Sequence, residues 1–369
     1  MSKYNSTKEV INNISKREWT IPPYSIQSWG NWLHRIAPYV GRIKPSFAHF
    51  LIKYSSEKGD IILDPFCGIG TIPAEAALME RKSIGIDLNP YAYFIAKAKS
   101  ENKENLNEIL DYLNNIKINI RNVSIENIPK WVKEYYNKKT LKEILFLITK
   151  LKKEEKHFIL GCLIGISQGH RPGHLSKPCA WTLPFKPKPD DKGEYREVIP
   201  RLIEKVKRTY KSNFDNMEDM KIYQADARKL PLQTESIDHV ISSPPYYDTL
   251  DYVNSHRLRL AIAGFYDEAE NKLLKEKLIQ KYDTYLTEIT KCINEIHRVM
   301  KKGGYCIFIL GDCFRGNKVI NTAKDLQAIS EQVGFVSHAI IQDEIPINKS
   351  IQKRTKRQKH DRILIMTKK

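Results

Sequence analysis

Asp64-Pro65-Phe66-Cys67-Gly68-Ile69-Gly70-Thr71 lies between a short β-branched run, Ile61-Ile62-Leu63, and an Ala- and Glu-rich stretch, Thr71 to Arg81, that reads as a helix. Strand, glycine turn and helix open a parallel βαβ unit, and glycines at 68 and 70 let the backbone approach a ligand at the carboxyl end of the strand. A dinucleotide site is the obvious alternative. It is disfavoured because the third glycine of GxGxxG is missing and because Asp64 at the head of the turn would repel a pyrophosphate. The same carboxylate suits the ammonium group of a methionine moiety. Outward along the chain, Ser83-Ile84-Gly85-Ile86 is a second strand ending at Asp87, where an acid can accept hydrogen bonds from ribose hydroxyls. A third acid, Asp226, follows the strand Lys221-Ile222-Tyr223-Gln224 and is placed to bond an adenine amine.

The alternation of strands and helices predicts an α/β fold with a mostly parallel sheet and helices on both faces. Strands are expected at Ile237–Ser242, Tyr305–Leu310, Gly334–Ile341 and Ile363–Thr367, with a long helical region from about Asp251 to Met300. Residues 101–220 break this rhythm. Leu106–Ile120 and Leu141–Ile166 read as amphipathic helices, and a Pro-, Gly- and His-rich stretch follows them. The expected organisation is an N-terminal segment 1–34, a discontinuous α/β domain 35–100 and 221–369, and a mainly helical insertion 101–220.

The second motif is Ser243-Pro244-Pro245-Tyr246, directly after the strand Val240-Ile241-Ser242. Two prolines rigidify the turn and fix the direction of nearby carbonyls. The exocyclic amine of cytosine or adenine is conjugated with its ring and is a poor nucleophile. The Ser243 hydroxyl and the Pro244 carbonyl, accepting hydrogen bonds from that amine, would draw it towards tetrahedral geometry and free its lone pair. Tyr246 offers a face on which an extruded base can stack. An ordinary strand-ending turn with a core tyrosine is the plainer reading of the tetrapeptide alone.

Together, DPFCGIGT and SPPY resemble the amino-methyltransferases of DNA, which make N4-methylcytosine or N6-methyladenine. Gly41-Arg42-Ile43-Lys44-Pro45-Ser46-Phe47-Ala48 resembles that family's KP-containing segment at the methionine end of the cofactor. The likeness covers roughly residues 35–100 and 220–312, with Ile69 standing where Ser is usual. It implies a Rossmann-like S-adenosylmethionine-dependent methyltransferase fold. It implies cofactor contacts from Lys44, Pro45, Asp64, Pro65, Phe66, Gly68, Gly70, Thr71, Asp87 and Asp226, and catalysis by Ser243, Pro244, Pro245 and Tyr246. The Ser-first tetrapeptide leans towards cytosine N4. Adenine N6 is the alternative, and an RNA base a further one. Double-stranded DNA is the implied substrate, and a cognate restriction endonuclease the implied partner.

Charge agrees with a polyanionic substrate: 61 Lys and Arg against 43 Asp and Glu leave a net +18. A Lys-rich proteome would produce the same tilt. Gly169-His170-Arg171-Pro172-Gly173-His174 with Trp181 combines cations and an aromatic ring, as a DNA-contacting loop does. A loop packed over the insertion's helices explains it equally. His256 and Arg257, just past the tetrapeptide, suit phosphate contacts or a solvated helix face. The six cysteines lack CxxC pairing, so neither disulfides nor a metal site are expected. No apolar run approaches a membrane span and Met1–Lys16 is polar, which points to the cytoplasm.

Overall fold

The computed structural model describes residues 6–26, 28–100, 105–180, 193–210, 217–245, 251–315, 318–344 and 360–369. Helices α1 (Thr7–Ser15) and α2 (Pro45–Ser55) lead into β1 (Ile61–Asp64), α3 (Thr71–Leu78), β2 (Lys82–Asp87) and α4 (Pro90–Ser100). Then come α5 (Leu106–Asn115), α6 (Lys130–Lys133), α7 (Lys138–Lys153), α8 (His157–Ile166) and α9 (Val198–Thr209). The sheet resumes with β3 (Met220–Gln224) and β4 (His239–Ser242), followed by α10 (Tyr252–Ser255), α11 (Arg257–Ile262), α12 (Glu268–Lys277) and α13 (Tyr282–Val299). The chain closes with β5 (Tyr305–Gly311), the hairpin of β6 (Cys313–Arg315) and β7 (Lys318–Ile320), α14 (Thr322–Val333), β8 (Phe335–Glu344) and β9 (His360–Lys368).

Seven strands form one sheet in the order β3-β2-β1-β4-β5-β9-β8. The pairs from β3 to β5 are parallel, and β9 runs antiparallel to both β5 and β8. This is the Rossmann-like methyltransferase arrangement. Strand order reverses between β1 and β4, so their carboxyl ends open a crevice at the position where open α/β sheets bind ligands.

Interior strands of such a sheet are buried on both faces and read as continuous apolar runs. Successive residues then serve opposite cores. Ile62, Ile241, Ile307 and Ile309 join one cluster with α1, α2 and α3. Leu63, Val240, Cys306 and Phe308 join another with α13 and α14. The N-terminal segment is part of the first: Trp19 stacks on Phe47 at 4.5 Å, and its indole N–H donates to Asp343 at 2.8 Å.

The helical region 106–209 packs on α4, sharing a third cluster with Tyr91, Ile95 and Ala98. Its centre is α8, apolar on every side. Two glycines there admit neighbours at backbone distance: a Cβ on Gly161 would lie 2.4 Å from that of Ala98, and one on Gly165 2.0 Å from the carbonyl of Ile36. The single helix expected over Leu141–Ile166 is two, because Glu155 takes a φ of 53° and turns the chain back, so that α7 lies against α8. The helix expected to reach Ile120 ends at Asn115. The long helical region after the second motif is broken at Gly264, whose φ of 100° suits glycine. Among the described residues no helix is long and apolar enough to cross a membrane.

Candidate active site

At the end of β1 the chain turns through Gly68 and Gly70, both with left-handed φ, at 51° and 71°. The amide of Gly68 donates to Asp87 Oδ2 at 2.8 Å, and that of Asn89 to Asp87 Oδ1 at 2.8 Å. Asp87 therefore fastens the glycine turn to the end of β2 while facing the crevice. Asp64 Oδ1 accepts from the Phe66 amide at 3.2 Å and from the Ser242 hydroxyl at 2.6 Å. That last bond ties the first motif to the residue preceding the second, across the point where strand order reverses.

A cleft of about 940 Å³, partly open to solvent, runs along these strand ends. Its wall brings together Asp64, Pro65, Phe66, Gly68, Thr71, Asp87, Asp226, Ser243 and Pro245, residues spread over four strand ends. Four expected contacts stand outside that wall. Lys44 and Pro45 form the start of α2, with Pro45 packed under Gly30, and Gly41, Arg42 and Ile43 line the cleft in their place. Gly70 caps α3 and packs on Met220 and Ala96. Pro244 is buried behind Ser243. Tyr246 and Trp181 lie outside the described residues.

The wall also holds residues that sequence reasoning missed: Tyr39, Asn89, Tyr252, Leu278 and Ile279. Tyr39 covers the glycine turn, where a Cβ on Gly68 would sit 3.2 Å from its ring. Only the Asp-x-Asn spacing of Asp87 and Asn89 hinted at any of them.

His256 does not face a phosphate. It is fully buried, its ring stacked on Tyr39 at 4.7 Å, and its Nε2 accepts from the Val40 amide at 3.2 Å. Burial and the charge of Arg259 push its pKa down to about 3, so it is neutral and packs as an aromatic ring. Arg257 is half-buried, with its guanidinium 5.4 Å above the Trp131 ring. His170 and Arg171 are exposed at a loop tip. That loop is clamped from beneath, since Arg196 donates to the carbonyls of His174 and Ser176 and Arg201 to that of Pro172. His174 is half-buried, and desolvation lowers its pKa to about 4.

Electrostatics separate the three acids. Burial raises Asp64 to about 7 against the hydrogen bonds from Ser242 and Phe66, and the charge of Asp87 adds to the rise. Burial likewise raises Asp87 to about 6 against the amides of Asn89, Gly68 and Leu88. Burial would raise Asp226 as well, but Arg228 outweighs it and holds that carboxyl below its usual value. Two buried polar atoms of the wall, Thr71 Oγ1 and Asn89 Nδ2, have no hydrogen-bond partner among the described residues. Buried polar groups left unpaired are costly. A cleft with two desolvated carboxylates, an orphan hydroxyl and an orphan amide is thus matched to a cationic, polyhydroxylated ligand, as S-adenosylmethionine is.

Residues 39–99 match the family described as DNA methylase, of N6/N4 type. Over 113 residues the chain is 36% identical to the type II methyltransferase M.MjaII of Methanocaldococcus jannaschii, covering 29% of this chain and 21% of that protein. Over 52 residues it is 44% identical to the tRNA (guanine(10)-N2)-dimethyltransferase of Methanothermobacter thermautotrophicus, covering 14% and 16%. The chain thus spans about a fifth of the length of these curated relatives. A SAM-dependent methyltransferase of Methanosarcina mazei aligns over 86% of this chain and 96% of its own, at 12% identity and a TM-score of 0.37. The methyl donor of this group is S-adenosylmethionine. Residues 39–99, which build the first wall of the cleft, are thus similar to the DNA amino-methyltransferases.

Proposed function

We propose that this chain is a site-specific DNA methyltransferase that modifies the exocyclic N4 amine of cytosine and works beside a restriction endonuclease. The observation that carries the reading is the state of Ser243. Its hydroxyl donates to the carbonyl of Ile309 at 3.1 Å, which commits the proton to β5. Ser243 lines the cleft, and in this reading its oxygen serves there as an acceptor, the role an amine nucleophile requires. The Pro245 carbonyl already accepts from the Tyr285 hydroxyl at 2.8 Å; in this reading the second acceptor is the Pro244 carbonyl, although Pro244 itself stands behind Ser243 and outside the cleft wall. Hydrogen bonds from both amine protons to these two acceptors localise the nitrogen lone pair towards the methyl group.

S-adenosylmethionine supplies an electrophilic methyl group on a sulfonium. In this reading Asp64 and Thr71 hold the methionine end, Asp87 and Asn89 the ribose, and Asp226 the adenine. Tyr246 stacks on the flipped base, and the exposed tip at His170 and Arg171 meets the duplex, which makes 101–220 the region that reads the target. The basic surplus supports a nucleic-acid substrate.

Incubation of the purified chain with labelled cofactor and DNA, followed by nucleoside mass spectrometry, tests this directly. N4-methylcytosine is the expected product. N6-methyladenine would move the target to the other base, and label entering RNA alone would overturn the assignment to DNA.

A further inference from the structure

Among the described residues Asp226, unlike Asp64 and Asp87, has a cation of its own. Arg228, two residues on, places Nε 2.9 Å from Oδ1 and Nη2 2.6 Å from Oδ2, and its backbone amide donates to Oδ1 at 2.9 Å. The same guanidinium binds Glu288 of α13 through Nη1 and donates from Nη2 to the carbonyl of Lys277 at 2.9 Å. Lys277 ends α12, and Lys277, Leu278 and Ile279 line the same cleft as Ala225, Asp226 and Ala227 at the end of β3. One side chain therefore joins the acid, the end of α12 and α13. A guanidinium fork holds a carboxylate in its own plane, which fixes the direction of the lone pairs left over.

We propose that Arg228 is the positioning residue for the cofactor's base: it aims Asp226 at the exocyclic amine of adenine and fastens residues 277–279 across the ring. The cleft then accepts a 6-amino purine and rejects a 6-oxo one, which would set oxygen against oxygen. This deepens the proposed cofactor site and rests on Asp226 facing adenine. A site built to bond a ligand N–H discriminates strongly against the analogue that lacks it, because its own polar group is left unpaired.

The test is calorimetric binding of S-adenosylhomocysteine and of S-inosylhomocysteine, its hypoxanthine analogue, to the full chain. The unsubstituted protein should prefer the adenine form by roughly a hundredfold or more. Arg228→Gln should shrink that ratio below about tenfold while circular dichroism stays unchanged, mainly by weakening the adenine form. Arg228→Lys keeps the charge without the fork and should restore little of it. A ratio that survives Arg228→Gln overturns the proposal. Should that variant not fold, Glu288→Ala carries the test, since it removes the acceptor of Arg228 Nη1 while leaving Asp226 in place. The ratio should then fall severalfold, and an unchanged ratio is again fatal. Failure of the unsubstituted chain to bind either ligand would instead sink the cofactor site, and equal binding of both would sink the role of Asp226 and Arg228 together.

Discussion

Ser243 and Asp64 face the same cleft with opposite demands. The Ser243 hydroxyl donates to the Ile309 carbonyl, so under the proposed function Ser243→Ala removes the acceptor assigned to the reacting amine. Contacts of that kind are worth roughly a hundredfold in rate. Single-turnover assays should show that loss with DNA and cofactor affinity nearly unchanged. Asp64 is held at about 7 by burial, well above its ordinary 3.8. A carboxyl whose folded pKa is raised favours the protonated state of the fold. It takes stability away at pH above 7 and none below the unfolded value, so the unliganded protein gains stability as pH falls through 7. Asp64→Asn should therefore stabilise the unliganded protein by up to a few kcal/mol at pH 8, read as a raised Tm, and hardly change it near pH 4. The ligand reverses the sign. A cation favours the ionised acids, so cofactor affinity should tighten by up to about tenfold per pH unit from roughly 5.5 to 7. Calorimetry in buffers of different ionisation enthalpy reads the released protons, and a flat profile would exclude Asp64 and Asp87 from the contact.

Helix α8 shows how an element can be dictated by its neighbours. His157–Ile166 is apolar on all sides because α4, α7 and α9 surround it, and its glycines mark where backbones nearly touch. A methyl group on Gly165 would meet the Ile36 carbonyl at 2.0 Å, an obstacle that no rotamer change can clear. Gly165→Ala should cost about 3 kcal/mol or more by chemical denaturation, at the upper end of overpacking penalties. Gly173→Ala, in the exposed loop with no described residue within 4 Å of the new methyl, should cost little.

At the scale of the whole molecule, the net charge of +18 is the feature that a duplex would meet first. Neutralising phosphates releases counterions, so log K should fall steeply and linearly with log salt. A titration in potassium chloride measures it, with a slope expected on the order of −5 or steeper. A slope near zero would make the basic residues solvated surface alone. The three hydrophobic clusters also make the helical region a continuation of the α/β core, because α4 contributes to it directly.

How far the amino-acid sequence by itself determined this protein depends on the range of the interactions involved. The seven strands of the main sheet, its parallel character and the strand-end positions of Asp64, Asp87, Asp226 and Ser243 were legible, and the β6–β7 hairpin was not. Each is encoded within a few residues: β-branched runs, glycines that tolerate left-handed φ, a carboxylate at the head of a turn, paired prolines. Tertiary structure alone decided the rest. Tyr39, Tyr252 and Ile279 reach the wall from segments far apart in the chain, and His256 turns inward because Tyr39 and Val40 hold it there. The bond from Ser242 to Asp64 and the reach of Arg228 to Lys277 and Glu288 span long stretches of sequence. Such contacts leave no periodicity to read, because they arise only when the sheet's strand order brings distant loops to one edge.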